Sequence, residues 1–235
     1  DLASVNRFAE AFMKKYARLD VLVNNAGVMN CPKSTTKQGF EMQFGTNHIG
    51  HFALTMLLLP HLKKSNPSRV VVLSSVASEN FNGLLAKVDL DDLNFETREY
   101  DGWVAYGQSK LANVLFAKEL DRRYSKDGVR ACSLHPGFVQ SNLIQHTMGN
   151  VTQCIMYPML RWGMGMIPPW EGTQTSLHCI LADTIEPGAF YSCGPNSPRG
   201  FEGGWPRANG NPVAEDAELA KKLWEASEEL VKGNM

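Results

Sequence analysis

Three short apolar runs, each ending in small or polar residues, constrain the fold of this chain more than any other feature. They are LDVLVNNAG, PSRVVVLSS and VRACSLHPG, and stretches of helical length separate them. The stretch before the first run places Leu2, Val5, Phe8 and Phe12 at helical spacing. Continuously apolar strands that alternate with helices are typical of a parallel sheet covered on both faces. The sequence therefore predicts an α/β fold with an open parallel sheet.

The same alternation predicts the remaining elements. A second helix is expected from about Gly39 to Lys64, and a loop from Val76 to about Gly102. A long helix then carries YGQSKLANVLFAKELDRRY and ends near Gly128. Next come a segment rich in Met, Trp and Pro, a helix (EGTQTSLHCILA), a short strand (GAFYSCG) and a final helix (AEDAELAKKLWEASEELVKG). No repeat or long linker divides the chain, so we expect a single domain over residues 1–235.

Composition excludes several classes of partner. The net charge is −1 and no basic stripe runs along the chain, so we expect no nucleic-acid partner. No apolar run reaches the roughly 20 residues that span a bilayer. The five cysteines are scattered and none forms a CxxC pair, which favours reduced thiols in an intracellular compartment. A cytoplasmic, an organellar and a membrane-associated location all stay open.

Polar side chains collect at the predicted strand ends, where open α/β sheets bind ligands. These ends are 24–27 (NNAG), 74–75 (SS) and 135–137 (HPG), and the helix after the second one carries Tyr106 and Lys110. Residues four apart lie on one side of a helix, so an ammonium would stand near a phenol. A positive charge there favours the phenolate, and we expect it to lower the pKa of Tyr106 below its usual value of about 10. Taken alone, such a pair is more often an ordinary surface contact.

Five motifs in this order resemble the short-chain dehydrogenase/reductase family. They are NNAG at 24–27, NHIGHF at 47–52, VVVLSSVAS at 70–78, YGQSKLAN at 106–113 and HPGFVQSNL at 135–143. The extended YxxSKLAN motif and the tail LWEASEELV look most like the retinol-dehydrogenase-like branch. The resemblance covers nearly the whole chain and implies a Rossmann-like doubly wound parallel sheet. It also implies oxidation of an alcohol, or reduction of an aldehyde or ketone, on a small lipophilic substrate.

The resemblance assigns a role to four residues. Tyr106 would be the general acid and base, and Lys110 would tune it and hold the nicotinamide ribose. Ser75 would hold the substrate oxygen; it is chosen over Ser74 because the family motif uses the serine just before the small "xA" step. Asn47 would anchor a water that leads protons from Lys110 to solvent.

A nicotinamide cofactor is implied by the same resemblance, with NADP expected over NAD, which stays open. Asp1 would lie near the adenine ring. The other cofactor contacts implied are Asn24, Ala26 and Gly27 beside the adenosine ribose, Pro136, Gly137, Val139 and Ser141 at the nicotinamide amide, and again Tyr106 and Lys110. No metal is expected, because His48 and His51 lie three residues apart with no acidic partner nearby. His135 is expected to pack or to bond backbone.

Two segments have more than one interpretation. The 31 residues from Ser75 to Tyr106 exceed the usual family spacing, and this insertion carries seven acidic residues, which indicate a solvated loop rather than a binding feature. The stretch PMLRWGMGMIPPW favours an apolar substrate pocket, because Met and aromatic side chains adapt to apolar ligands. It equally suits a core segment or an interface patch.

The family's glycine-rich turn, T-G-x-x-x-G-x-G, is not found in this sequence. The resemblance implies that the family's first three strands and two helices, roughly 65 residues at typical element lengths, come before Asp1. Family strand order 3-2-1-4-5-6-7 would then leave 4-5-6-7, with Val21–Asn25 as a bare edge. A membrane anchor, if one exists, would lie outside this sequence.

Three interpretations follow for the chain. The favoured one is a piece of an active reductase whose glycine-rich head is part of the molecule. The second is a non-catalytic subunit that serves as scaffold, with its bare edge covered by a partner or by another copy in a homo-oligomer. The third is a regulatory protein that holds NADP without turnover.

Overall fold

The computed structural model describes residues 1–81, 83–144, 156, 158–163, 165–193 and 206–234. Within them, four parallel strands form one sheet in the order β1-β2-β5-β6, and two short antiparallel strands form a hairpin. The strands are β1 (Val21–Asn24), β2 (Ser68–Leu73), β3 (Asn80–Phe81), β4 (Leu84–Leu85), β5 (Val129–His135) and β6 (Phe190–Ser192). The order matches the predicted 4-5-6-7 arrangement.

Residues 158–163 are helical, and six further α-helices accompany the sheet in the described residues. They are α1 (Leu2–Lys15), α2 (Met42–Phe44), α3 (Gly50–Ser65), α4 (Gly102–Tyr124), α5 (Pro169–Leu181) and α6 (Ala217–Lys232). A π-helical turn, Gly45–Ile49, joins α2 to α3 without a break. The helix predicted from Gly39 begins instead at Met42, because the Glu41 carboxylate accepts the amides of Gln43 and Phe44 and so caps it.

Helices cover both faces of the sheet, as the continuously apolar strands predicted. Val70 and Val72 of β2 belong to the core beneath α3 and α4, whereas Val71 packs with Cys179 of α5 on the opposite face. All three valines are fully buried. This arrangement confirms the doubly wound α/β fold and fixes which strand ends can share a site.

The long helix α4 is the central element of the core. Asp101 caps it by accepting the amides of Trp103 and Val104 at 2.7 and 2.9 Å. It lies between the sheet and α6, whose Trp224 is 1 % exposed and packs its ring against Phe116. Burial on both sides holds the turn that carries Tyr106 in one position.

The insertion before α4 is more ordered than predicted. Two of its seven acidic residues, Glu79 and Asp92, are buried, so the expectation of a solvated loop is wrong for them. Glu79 accepts hydrogen bonds from Arg207 at 3.2 Å and from the Gly210 amide at 2.9 Å. These bonds tie the insertion to the segment that leads into α6.

Strand β1 lies at the end of the sheet order and pairs only with β2 among the described residues. Val23 in its middle is 36 % exposed. The bare edge predicted at Val21–Asn25 is therefore present in this structure. None of the described helices is both long enough and apolar enough to cross a bilayer.

Candidate active site

The candidate site lies where β1 and β2 end and the first turns of α4 pass over them. Gly27, just after β1, marks its centre. A Cβ atom at that position would lie 3.1 Å from Asn47 Oδ1 and 3.7 Å from Lys110 Nζ. The strand end, the π turn and α4 therefore meet closely at Gly27, where a larger residue would crowd Asn47 and Lys110.

Tyr106 points into this site and not to solvent. Its side chain is 3 % exposed, and Lys110 Nζ lies 5.5 Å from the centre of its ring. A side-chain hydrogen bond links it to Ser75, whose Oγ also accepts the Ala77 amide at 3.2 Å. The neighbouring Ser74 donates its hydroxyl to the Lys110 main-chain carbonyl at 2.7 Å instead. The structure thus brings together the predicted Ser75, Tyr106 and Lys110, with Ser75 rather than Ser74 facing the phenol.

Burial sets the acidity of these groups. It raises the pKa of Tyr106 to about 12, and the bond from Ser75 opposes that rise. It also lowers the pKa of Lys110 to about 8. The expectation that Lys110 would lower the pKa of Tyr106 is therefore wrong in this structure, because desolvation of the phenolate outweighs the nearby amine. The amine donates to the Leu73 carbonyl at 3.2 Å.

Asn47 lies in the π turn and is completely buried. Its amide donates to the Val28 carbonyl and to Ser109 Oγ, both at 2.9 Å, and its Oδ1 accepts the Val28 amide at 2.8 Å. Both amide hydrogens are thus used by protein atoms. The role of Asn47 in holding a water stays a prediction, and its side-chain Oδ1, which accepts one bond, retains a lone pair for it.

The residues predicted beside the adenosine ribose lie at the same strand end. Asn24 is buried and donates to Thr55 Oγ1 at 2.9 Å, while its Oδ1 has no partner among the described residues. Ala26 is exposed and Gly27 is half-buried. A buried acceptor without a partner at this strand end suits a ligand that donates a hydrogen bond.

The turn after β5 carries the other predicted contacts. Gly137 has φ +99°, and a Cβ there would lie 2.8 Å from both Cys193 Sγ and Ile167 Cδ1. Val139 forms an isolated parallel bridge with Ile167. The backbone from Pro136 to Ser141 is thereby held against a neighbouring segment.

Asp1 and the histidines have other surroundings. Asp1 caps α1 and lies 3.6 Å from Lys37 Nζ, so its place near an adenine ring stays a prediction. Burial lowers the pKa of His48 to about 4 and that of His51 and His135 to about 3, which keeps all three neutral at physiological pH. In the described parts of the chain no cluster of side chains could hold a metal ion.

An apolar wall surrounds the ring of Tyr106. Met29, Ala77, Leu160 and Met166 are buried against it. The Met/Trp-rich segment therefore contributes to the site through Leu160 and Met166, whereas other large side chains of that segment are exposed, namely Met159, Trp162 and Trp170. Two residues of this region, Cys154 and Met164, lie outside the described residues.

Comparison with known proteins agrees with the motifs. The family model for short chain dehydrogenase matches residues 1–86. The chain is 42 % identical over 232 residues to human retinol dehydrogenase 13, covering 98 % of this chain and 66 % of that protein. It is also 42 % identical over 235 residues to retinol dehydrogenase 12 of Bos taurus, covering 98 % and 67 %. The chain belongs to the short-chain dehydrogenase/reductase family. Its relatives place it in the retinol-dehydrogenase-like branch, and it spans about two thirds of their length.

Solved structures of the family show the same fold. An uncharacterized protein from Mycobacterium Paratuberculosis aligns with a TM-score of 0.69 and 36 % identity, over 99 % of this chain and 72 % of that one. The RhlG/NADP active-site complex of Pseudomonas aeruginosa aligns with a TM-score of 0.57 and 26 % identity, over 81 % and 70 %. Both alignments confirm the Rossmann-like architecture.

The residues present fit the two riboses of the family's dinucleotide. The orphaned Asn24 Oδ1 and Gly27 lie at the end of β1, where the adenosine ribose is expected, and the Lys110 amine lies near Gly27, where the nicotinamide ribose is expected. Ribose hydroxyl groups can donate to the acceptor and accept from the amine. The glycine-rich turn that holds the phosphates of such a cofactor is not in this sequence.

Sequence reasoning missed a buried polar group that supports the site. Asn113 donates to the carbonyls of Asn47 and Leu73 at 2.9 and 3.0 Å. His48 lies between Asn113 and Ser227 of α6. Asn113 is the last residue of the YGQSKLAN motif, so the signal was present, but contacts 40 to 179 residues apart in sequence cannot be inferred from spacing.

Proposed function

We propose that this chain carries the proton-transferring and substrate-orienting groups of an NADP-dependent oxidoreductase, which interconverts an alcohol with an aldehyde or ketone. The observation that carries the proposal is the buried grouping of Tyr106, Ser75 and Lys110 at the strand ends, beside Gly27, where the main chain comes close to Asn47 and Lys110. The names of the curated relatives, retinol dehydrogenases 12 and 13, support the reaction class. The NADP complex of the Pseudomonas protein supports the cofactor.

In this proposal Tyr106 moves the proton. In the reducing direction its hydroxyl donates to the substrate oxygen as the carbonyl carbon is reduced; in the oxidising direction the phenolate takes the proton back from the alcohol. Its pKa, raised by burial, keeps the phenol protonated at neutral pH, which suits the reducing direction. Ser75 orients the substrate, because its hydroxyl already faces the phenol.

Lys110 and the β1 end would hold the cofactor. When bound, the nicotinamide dinucleotide supplies the two-electron redox chemistry. Asn24 and Gly27 would bind its adenosine ribose, Lys110 would bind its nicotinamide ribose, and the turn at Gly137 would face its amide. The charged form of Lys110 would also favour the phenolate of Tyr106, and its lowered pKa allows it to lose that charge near pH 8.

We propose a small lipophilic substrate. Met29, Leu160 and Met166 line the side of Tyr106, and Trp103 meets its ring edge-on at 6.2 Å. A neighbouring cavity of about 290 Å³ is lined by Phe81, Trp103 and the tip of the β3–β4 hairpin. Such walls favour an apolar tail over a charged or sugar-like one.

The test is NADPH-dependent reduction of retinal by the purified protein, compared with Tyr106→Phe. We expect the variant to lose at least 100-fold in kcat, the lower range for a general acid, while NADPH binding measured by fluorescence titration stays unchanged. Tyr124→Phe, on the same helix and outside the site, is the matched control. Equal turnover in the wild type and Tyr106→Phe would contradict the proposal. So would a wild type that reduces neither retinal nor shorter aldehydes with NADPH or NADH.

A second candidate is a non-catalytic subunit, which the unpaired edge of β1 favours. The edge of β1 would then pair with a strand of a partner or of a second copy. Neither NADPH nor NADH would bind in the titration, and Tyr106→Phe would leave assembly unchanged. Binding without turnover, by contrast, would favour a regulatory protein that holds the cofactor.

We also propose a reducing intracellular location. The four cysteines in the described residues are free and buried, which supports it.

A further inference from the structure

The main-chain carbonyl of Leu73 accepts hydrogen bonds from two side chains, those of Lys110 and Asn113. Leu73 O accepts Lys110 Nζ at 3.2 Å and Asn113 Nδ2 at 3.0 Å. The other hydrogen of the Asn113 amide goes to the carbonyl of Asn47 at 2.9 Å. Asn113 thus ties the end of β2 to the π turn directly behind the site.

These two bonds fix the orientation of the Asn113 amide. Both acceptors are main-chain carbonyls, so the nitrogen must face them and Oδ1 must face the other way. Oδ1 lies 3.3 Å from His48 Nδ1. Since Oδ1 only accepts hydrogen bonds, His48 must carry its proton on Nδ1.

The state of His48 then determines what Ser227 does. Complete burial lowers the pKa of His48 to about 4, so the ring is neutral and its Nε2 has no proton. Nε2 lies 2.9 Å from Ser227 Oγ on α6, which must therefore donate its hydroxyl to the ring. The Leu223 carbonyl, 2.7 Å from the same Oγ, is the competing acceptor for that hydroxyl.

We propose that Asn113 and His48 are positioning residues for Lys110, and that Ser227 holds the imidazole in place by donating its hydroxyl to Nε2. Hydrogen bonds run in one direction from Ser227 through His48 and Asn113 to the Leu73 carbonyl, where the Lys110 amine meets them. All side chains in this connection are buried, and each is satisfied only in that direction. Through these hydrogen bonds, α6 helps to hold the Lys110 amine in the site.

Tautomer measurement tests the connection without reference to turnover. In long-range ¹⁵N–¹H spectra of the imidazoles at pH 7, we expect His48 as the neutral Nδ1–H form. In Ser227→Ala we expect the Nδ1–H form to persist, because Asn113 Oδ1 still accepts that proton. In Asn113→Ala we expect a substantial Nε2–H population, because the acceptor at Nδ1 is lost and Ser227 Oγ can accept from Nε2. An Nε2–H form in the wild type overturns the proposal.

Two substitutions of His48 distinguish a role in positioning Lys110 from a role in packing alone. This experiment measures turnover, so it rests on the proposed function. Asparagine places an amide N–H where Nδ1–H stood, and glutamine places its amide near Nε2. We expect His48→Asn to retain at least a third of the wild-type kcat and His48→Gln to lose about tenfold, both with unchanged KM for retinal. Asn113→Ala should lose at least as much as His48→Gln.

The matched control is Ser68→Ala, a buried serine in β2 whose Oγ has no partner in the described part of the chain. It should leave the tautomer of His48 and kcat unchanged. If His48→Asn and His48→Gln lose kcat equally and have equal thermal stability, the positioning role is overturned. If the wild type shows no turnover, the proposed function fails and the tautomer result still decides the connection.

Discussion

The buried amine of Lys110 gives the fold a pH dependence that is specific to one residue. Burial lowers its pKa from 10.5 to about 8. Between these values the unfolded chain binds a proton that the folded chain does not. Stability must therefore rise with pH across that window, by up to about 1.4 kcal/mol per pH unit. Tyr106, with its raised pKa, acts in the opposite sense only from about pH 10 to 12.

We therefore predict a difference between the wild type and Lys110→Met. The free energy of unfolding of the wild type, minus that of the variant, should increase from pH 8 to pH 10. Urea denaturation at half-unit steps measures it. Lys64→Met, at an exposed lysine near the end of α3, controls for loss of a charge. A difference that stays flat over this range would show that Lys110 is not desolvated.

Single residues also show the limits of inference from sequence. Ser75, Tyr106 and Lys110 were predicted together because each lies at a strand end or one helical turn away, which covalent spacing determines. The direction of the pKa shift of Tyr106 was not predictable, because it depends on Met29, Leu160 and other groups distant in sequence that exclude water from the ring.

At the level of elements, the start of α4 decides where Tyr106 lies. Asp101 Oδ1 accepts two otherwise unpaired amides of the first turn, those of Trp103 and Val104. Asp101→Ala should therefore lower the free energy of unfolding by about 1 kcal/mol. Asp101→Asn keeps an oxygen acceptor and should cost much less. Urea denaturation of the three proteins checks this, and equal losses in both variants would rule out capping as the cause.

The π turn before α3 depends on a glycine. A Cβ at Gly45 would lie 2.9 Å from Phe40 Cβ and closer still to Thr36, so Gly45→Ala should cost about 1 to 3 kcal/mol through overpacking. At Gly50 the nearest atom is the Gly45 carbonyl at 3.4 Å. Gly50→Ala is thus the matched control and should be near neutral. Thermal unfolding of both variants measures the difference, and a stable Gly45→Ala would mean that the turn has room to adjust.

Elements were predictable where one local pattern sufficed. The three apolar runs and the short strand GAFYSCG predicted the four strands of the parallel sheet, and the amphipathic stretches predicted the flanking helices, because burial on both faces selects such sequences. The π turn and the β3–β4 hairpin were not predicted. Gly45 meets Thr36 and Phe40, and the insertion is fixed by Arg207, contacts that neither periodicity nor turn signals encode.

At the scale of the whole molecule, α6 and the insertion close the fold around the site. Trp224 of α6 packs with Phe116 of α4, and Glu79 of the insertion binds Arg207 just before α6. Residues far apart in sequence thus enclose α4 from two sides. The side of the sheet beyond β1 has no such cover in the described residues.

That open side leads to a prediction about association. Unpaired N–H and C=O groups along β1 offer a template for another strand, and Val23 adds an apolar side chain at 36 % exposure. We expect the chain to associate in a concentration-dependent manner. Val23→Lys should shift it toward the monomer, because a charge at an edge strand opposes pairing.

Sedimentation velocity from about 1 to about 100 µM, the range in which exposed strand edges associate, would measure this. Phe8→Lys is the control, because Phe8 is an apolar residue that is 57 % exposed but belongs to α1 and not to β1. If the edge of β1 is the contact, Val23→Lys disperses the oligomer and Phe8→Lys does not. The reverse result would place the contact on α1. A monomer at every concentration would show that the edge of β1 does not pair with another copy. The scaffold interpretation would then require a different protein to cover that edge.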